Sequence, residues 1–151
     1  LSDQHEKMSN YAELFLFLAA RAQLVEEIIL PSLEKGVVVI SDRFFDSTVV
    51  YQGMAGGLGR DFVERLCFWG AQGLKPDLTF FMDIHYREGL KRTGRRDRID
   101  RKSFTFHRNV AEGFRRVAER HSKRAAVIDA GKDIASVRKM IEKKLHEVFG
   151  L

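Results

Sequence analysis

A single cysteine, two prolines and no apolar run approaching a membrane span are the conspicuous shortages of this 151-residue chain. Cys67 alone cannot form an internal disulfide or a cysteine cluster for zinc, which fits a reducing cytoplasm. A transmembrane helix needs about 20 consecutive apolar residues. No stretch comes near that, and the opening residues lack the pattern of a signal peptide, so no membrane partner is expected. Met54-Ala-Gly-Gly-Leu-Gly59 is glycine-rich, but it follows a helical pattern and lacks the Gly-Lys-Ser/Thr of a phosphate loop, so it reads as a connection. Internal repeats, low-complexity tracts and interdomain linkers are also missing. Residues 1–151 are therefore expected to form one domain, large enough for a core if its sheet is complete.

Positive charge, by contrast, is plentiful. A net charge of +5 and a pI near 9.5 suggest an anionic partner: nucleic acid, an acidic surface or a nucleotide. Its distribution is uneven. Between Arg87 and Arg108 stand nine Lys or Arg against three acids, whereas the first helical segment is net acidic. A nucleic-acid reader would interleave such charges with exposed aromatics on a recognisable groove-binding module. Neither pattern is present, so no nucleic-acid partner is expected.

The periodicities predict helices over 8–34, 44–53, 59–73, 86–93, 102–121 and 133–149, and strands over 37–41, 78–83 and 125–129. Alternation of strands and helices makes the class α/β. Val37 to Ile40 follow Gly36 as unbroken β-branched aliphatics, as expected of a parallel strand covered on both faces. The carboxyl end of that strand, Ser41-Asp42-Arg43, falls where open α/β sheets place ligands. On the first helix, Leu14, Leu18, Val25 and Ile28 make an apolar stripe that also contains Arg21, four residues after Phe17. A ring beside a flat donor fork suits a planar base. The alternative is a core Phe17 with Arg21 snorkelling or paired to Glu13 or Glu26.

The order hydrophobic strand, Asp42-Arg43, then Ser47-Thr48 and Tyr51-Gln52 resembles the signature of thymidylate kinases, and Phe17 and Arg21 stand at that family's spacing on the preceding helix. Lys75-Pro76-Asp77 leading into Leu78–Asp83 is similar to the family's fourth strand, and the ending Asp129-Ala130 resembles its last strand and the loop near the adenine. Asp129 is equally readable as a helix cap or turn residue. Arg92 to Asp100 resembles the family's basic lid, placed at about 92–101; the alternative is a solvated charged loop.

This resemblance implies a parallel sheet flanked by helices of the P-loop nucleoside monophosphate kinase type. It also implies transfer of the ATP γ-phosphoryl to dTMP, giving dTDP, with Mg²⁺. In such an enzyme Phe17 stacks on thymine, Arg21 bonds its edge, Arg43 holds the acceptor phosphate, and Asp42 organises Mg²⁺ directly or through water. Asp42 could instead cap the following helix. Thr48 would lie near the base edge, Tyr51 under the deoxyribose and Gln52 at the rim, with Ser47 the least defined. Phe44 replaces the family's frequent Tyr or His, a small change. One of Arg95, Arg96 or Arg98 would stabilise the transferred phosphoryl group, and Arg92 would cover the adenine. A homodimer is implied as well, through the first helix and the segment bearing Phe62, Leu66, Phe68 and Trp69, unless these residues are core.

Three strands are few for this much helix, and the family's opening strand, its phosphate loop with the catalytic Lys and its Arg-Glu-Pro-Gly-Gly-Thr-like run have no counterpart here. The chain is expected to be a fragment, about the last three quarters of such an enzyme, folding poorly and inactive alone. A remnant that binds nucleotide or dimerises without catalysis is the alternative.

Overall fold

The computed structural model describes residues 8–92 and 99–150. It divides into two compact units, Leu1–Lys75 and Pro76–Leu151, each with its own core.

In the first unit Ser9 caps helix α1 (Asn10–Leu24) by accepting from the Ala12 N–H at 3.1 Å. The helix does not run on uniformly. Val25–Ile29 is π-helical, and the α form resumes as α2 (Leu30–Glu34), with Pro31 in its first turn where a missing N–H costs little. The wider turn changes which residues face inward: Leu14, Leu18, Val25 and Ile29 are buried, whereas Ile28 is 55% exposed. The apolar stripe thus continues one residue later than an unbroken 3.6-residue period predicts.

The expected strand 37–41 does not form. Among the described residues Val37–Ser41 has no ladder partner, and Val38 and Ile40 are 81% and 93% exposed. β propensity makes a strand only where a neighbouring strand accepts its hydrogen bonds. The predicted helix 44–53 is instead one α turn, α3 (Phe45–Thr48), followed by π-helical Val49–Ala55. Helix α4 (Arg60–Gly70) opens at Gly59, whose φ of 93° suits glycine, and packs on α1, α3 and the second π stretch. At Gly53 the approach is close enough that an added Cβ would lie 3.2 Å from the Val63 Cβ. Leu14, Val25, Val50, Val63 and Cys67 fill the centre of this unit.

In the second unit strands β1 (Thr79–Asp83) and β2 (Ala125–Asp129) pair in parallel, Thr79 opposite Ala125 and Asp83 opposite Asp129. Between them lie α5 (Tyr86–Arg92) and α6 (Phe104–Arg120), and α7 (Ile134–Phe149) follows. Ser103 caps α6 and Asp133 caps α7, each by accepting from the N–H three residues on. Helix α6 packs on both strands and α7 on β2, burying Phe81, Val110, Val117, Ala126 and Ile128. Both strands fall where the sequence predicts, because each has its partner inside its own unit.

Candidate active site

Arg21 is the hub of the first unit's polar residues. Its Nη2 donates to Thr48 Oγ1 at 2.9 Å and, more weakly, to the Phe44 carbonyl at 3.5 Å, while Nη1 approaches Cys67 Sγ at 4.0 Å. The guanidinium also lies over the Phe44 ring, 5.5 Å from its centroid. Burial lowers the Arg21 pKa from its ordinary value, and the neighbouring Cys67 and Asp46 act in the opposite direction. Its partners are thus Thr48, Phe44 and Cys67, rather than the Glu13 or Glu26 that a merely snorkelling arginine would take.

Beside Phe44, the chain turns sharply. Arg43 has φ 69°, an unusual conformation for a residue with a Cβ, and its carbonyl accepts from Ser41 Oγ at 2.9 Å. That turn carries the exposed Arg43 guanidinium over the Tyr51 ring at 5.4 Å. Asp42 is exposed at the start of the same turn and does not cap α3, whose first residue is preceded by Phe44 with no side-chain cap bond. A backbone strained at a charged residue is the kind of local cost that functional turns carry.

The four polar residues after Asp42-Arg43 do not share one side as expected. Thr48 and Gln52 are buried, while Ser47 and Tyr51 are half-buried. Gln52, expected at a rim, is 3% exposed and donates from Nε2 to Glu13 Oε1 at 2.7 Å, with Glu13 itself 2% exposed. Glu13, Phe17 and Arg21 follow one another at four-residue spacing on α1, so the half-buried Phe17 ring lies one turn from each polar contact.

The sequence reading passed over Cys67 and Asp46 and took Glu13 only as a possible ion-pair partner. Two of the three had a signal: Cys67 lies one turn after Val63 on the inward face of α4, and Glu13 stands at stripe spacing among apolar residues. Cys67 is inert by its surroundings. Burial pushes its thiol up to about 11, against the pull of the Arg21 charge and a hydrogen bond with Thr48.

In the second unit, polar contacts gather at the strand ends. Arg92 Nη1 donates to the Ala130 carbonyl at 2.9 Å, tying the end of α5 to the turn after β2. Asp129 is a turn residue, its Oδ1 accepting from the Gly131 N–H at 3.0 Å. Asp83 is held by both Nε and Nη2 of Arg115, at 3.2 and 3.1 Å. Arg95, Arg96 and Arg98 lie outside the described residues. No group of three or more His, Cys, Asp or Glu among the described residues could hold a metal ion by itself. No described helix is long and apolar enough to cross a membrane.

Comparison with known proteins gives a consistent result. The model of the family described as thymidylate kinase matches residues 1–141. The thymidylate kinase of Chlamydia trachomatis serovar D is 53% identical over 135 residues, covering 86% of this chain and 66% of that protein. The thymidylate kinase of Chlamydia abortus is 44% identical over 148 residues (95% of this chain, 67% of that protein), and that of a Thermoanaerobacter species is 41% identical over 143 residues (93% and 70%). The chain spans about two thirds of the length of these curated relatives.

Proposed function

Because the chain belongs to the thymidylate kinase family, with its P-loop nucleoside monophosphate kinase fold, we propose that the protein transfers the γ-phosphoryl of ATP to dTMP, giving dTDP. It does so in the cytoplasm, with a lid at about 92–101. The reading is carried by the 2.9 Å bond from Arg21 to Thr48, which joins the helix bearing Phe17 to the segment that opens with Asp42-Arg43.

Phe17 stacks on the thymine ring. Arg21 and Thr48, already bonded to each other, present donors and an acceptor to the base edge. Tyr51 supports the deoxyribose and is itself steadied by the Arg43 guanidinium above its ring. Arg43 takes the acceptor phosphate, the geometry in which a guanidinium is strongest, and Ser47 lies alongside. Gln52 contributes from within, through Glu13. In the second unit Arg92 covers the adenine beside the Ala130 turn, and one of the lid arginines Arg95, Arg96 or Arg98 stabilises the transferred group.

Mg²⁺ commonly takes only one or two protein carboxylates and fills its sphere with phosphate oxygens and water. The exposed Asp42 at the ligand end of its segment fits that sparse demand. When bound, the ion neutralises the negative charge that the phosphates bring together. Pairing of two copies uses the apolar groups that α1 and α4 leave exposed: Tyr11, Phe15 and Leu16 on one, Phe62, Phe68 and Trp69 on the other.

Calorimetric titration of the full protein with dTMP, dUMP and thymidine, beside a coupled assay of ADP release, tests the reading. Expected are turnover with dTMP and binding of dTMP well above thymidine. Equal affinity for the two, or no nucleotide binding, refutes it.

A further inference from the structure

The buried stripe of α6 opens on a polar residue. His107, Val110, Gly113, Val117 and Ala118 are buried, and His107 alone among them carries a polar side chain. It is 9% exposed, and its Nε2 lies 3.2 Å from the Asp100 carbonyl. A carbonyl can only accept, so the imidazole holds its proton on Nε2 and donates it there. The backbone ladder of α6 begins at the Ser103 carbonyl, which accepts from the His107 N–H at 3.2 Å. The Asp100 carbonyl lies ahead of that ladder and is reached by a side chain instead.

Further ties close the turn between them. The Lys102 N–H donates to the Ile99 carbonyl at 3.0 Å, the Phe106 N–H donates to Ser103 Oγ at 3.2 Å, and the Lys102 ammonium lies 4.5 Å from the centroid of the Phe106 ring. Residues 99–103 are thus folded back onto the first turn of α6. On the other flank of the proposed lid, Arg92 is tied to the Ala130 carbonyl at 2.9 Å.

A buried imidazole costs more to desolvate than a phenyl ring of similar size in the same place. Packing alone gives no reason for it. What the imidazole adds is one directed bond, made where the chain passes from the proposed lid into α6. A group misplaced by about 1 Å can slow a reaction on the order of 100-fold, so a lid that presents an arginine to the transferred phosphoryl group needs a fixed foot.

We infer that His107 is a positioning residue for phosphoryl transfer, its bond to the Asp100 carbonyl fixing the carboxyl-terminal foot of the lid on α6. Being buried, it acts through Asp100 and not by contact with either nucleotide. This role rests on the proposed kinase activity and its lid.

Steady-state kinetics of the full protein with dTMP and ATP, calorimetric titration with dTMP and urea unfolding test it on two variants. His107→Phe keeps a ring of similar volume and loses the donor, whereas His107→Gln keeps an N–H donor at a similar reach. Expected is a kcat lowered about tenfold or more in His107→Phe, with the KM and Kd for dTMP within about threefold of wild type, and a kcat restored to within about threefold in His107→Gln. If His107→Phe does not fold, His107→Leu takes its place with the same expectation. An unchanged kcat in the variant without a donor, or a kcat that follows the urea midpoint across the variants and not the presence of the N–H, overturns the positioning role and leaves His107 merely structural. Failure of the wild type to phosphorylate dTMP overturns the proposed function instead, and the role falls with it.

Discussion

Replacing Arg43 by alanine and by glycine separates what its backbone costs from what its guanidinium does. At φ 69° a residue with a Cβ is disfavoured, by about 1–2 kcal/mol relative to the right-handed region. Alanine keeps that penalty. Glycine escapes it but gives up about 0.5–1 kcal/mol of chain entropy on folding, so the glycine variant should be the more stable of the two by roughly 0.5–1 kcal/mol. At about 2–4 °C per kcal/mol for a chain of this size, the gap in melting temperature is about 1–4 °C. Urea midpoints provide the independent check. Both variants lack the guanidinium, and a hydrogen bond to a charged group contributes about 1.5–3 kcal/mol, so each should bind dTMP roughly 10- to 150-fold more weakly. Thymidine, which has no phosphate, should lose far less, only what Arg43 adds by steadying Tyr51. An alanine variant as stable as the glycine variant means that the turn does not impose the positive φ. Equal losses for dTMP and thymidine mean that Arg43 does not hold the phosphate.

Three further outcomes are expected. A double-mutant cycle of Arg21→Ala and Thr48→Val, read by urea unfolding, should give a coupling energy of about 1–2 kcal/mol for the half-buried bond between them; additive effects would show that the bond is not formed in solution. Since the Cys67 thiol is raised from 9.0 to about 11 in the folded state, the unfolded chain loses its proton first. Stability is then full below pH 9 and falls as pH rises through about 11, by roughly 2–3 kcal/mol, a slope that Cys67→Ala should flatten. Arg92→Ala should raise the KM for ATP several-fold while leaving that for dTMP unchanged, as its guanidinium reaches the Ala130 carbonyl beside the turn proposed to meet the adenine; a shift in the dTMP constant would place Arg92 elsewhere.

What the sequence revealed depended on how far apart the partners stand along it. The spans of α6 and α7 rest on contacts three or four residues away, the caps Ser103 and Asp133 among them, and local pattern suffices for such helices. Val37–Ile40 had the right residues for a strand and failed for want of a neighbour, which composition does not encode. The shift from Ile28 to Ile29 came from a wider helical turn that apolar spacing cannot distinguish from an ordinary one. Arg21 was singled out by its spacing from Phe17, but its contact with Cys67 spans 46 positions, and that of Gln52 with Glu13 spans 39. Resemblance located Gln52; only coordinates show that it faces inward.

The ribbon Val37–Ile40 has a practical side. Exposed valine and isoleucine on a backbone with no ladder partner among the described residues offer a template for any extended peptide, including the same stretch of another molecule. Concentrated preparations of this chain should therefore clump through that ribbon before any helix loosens, and a lysine at Val38 should keep them clear.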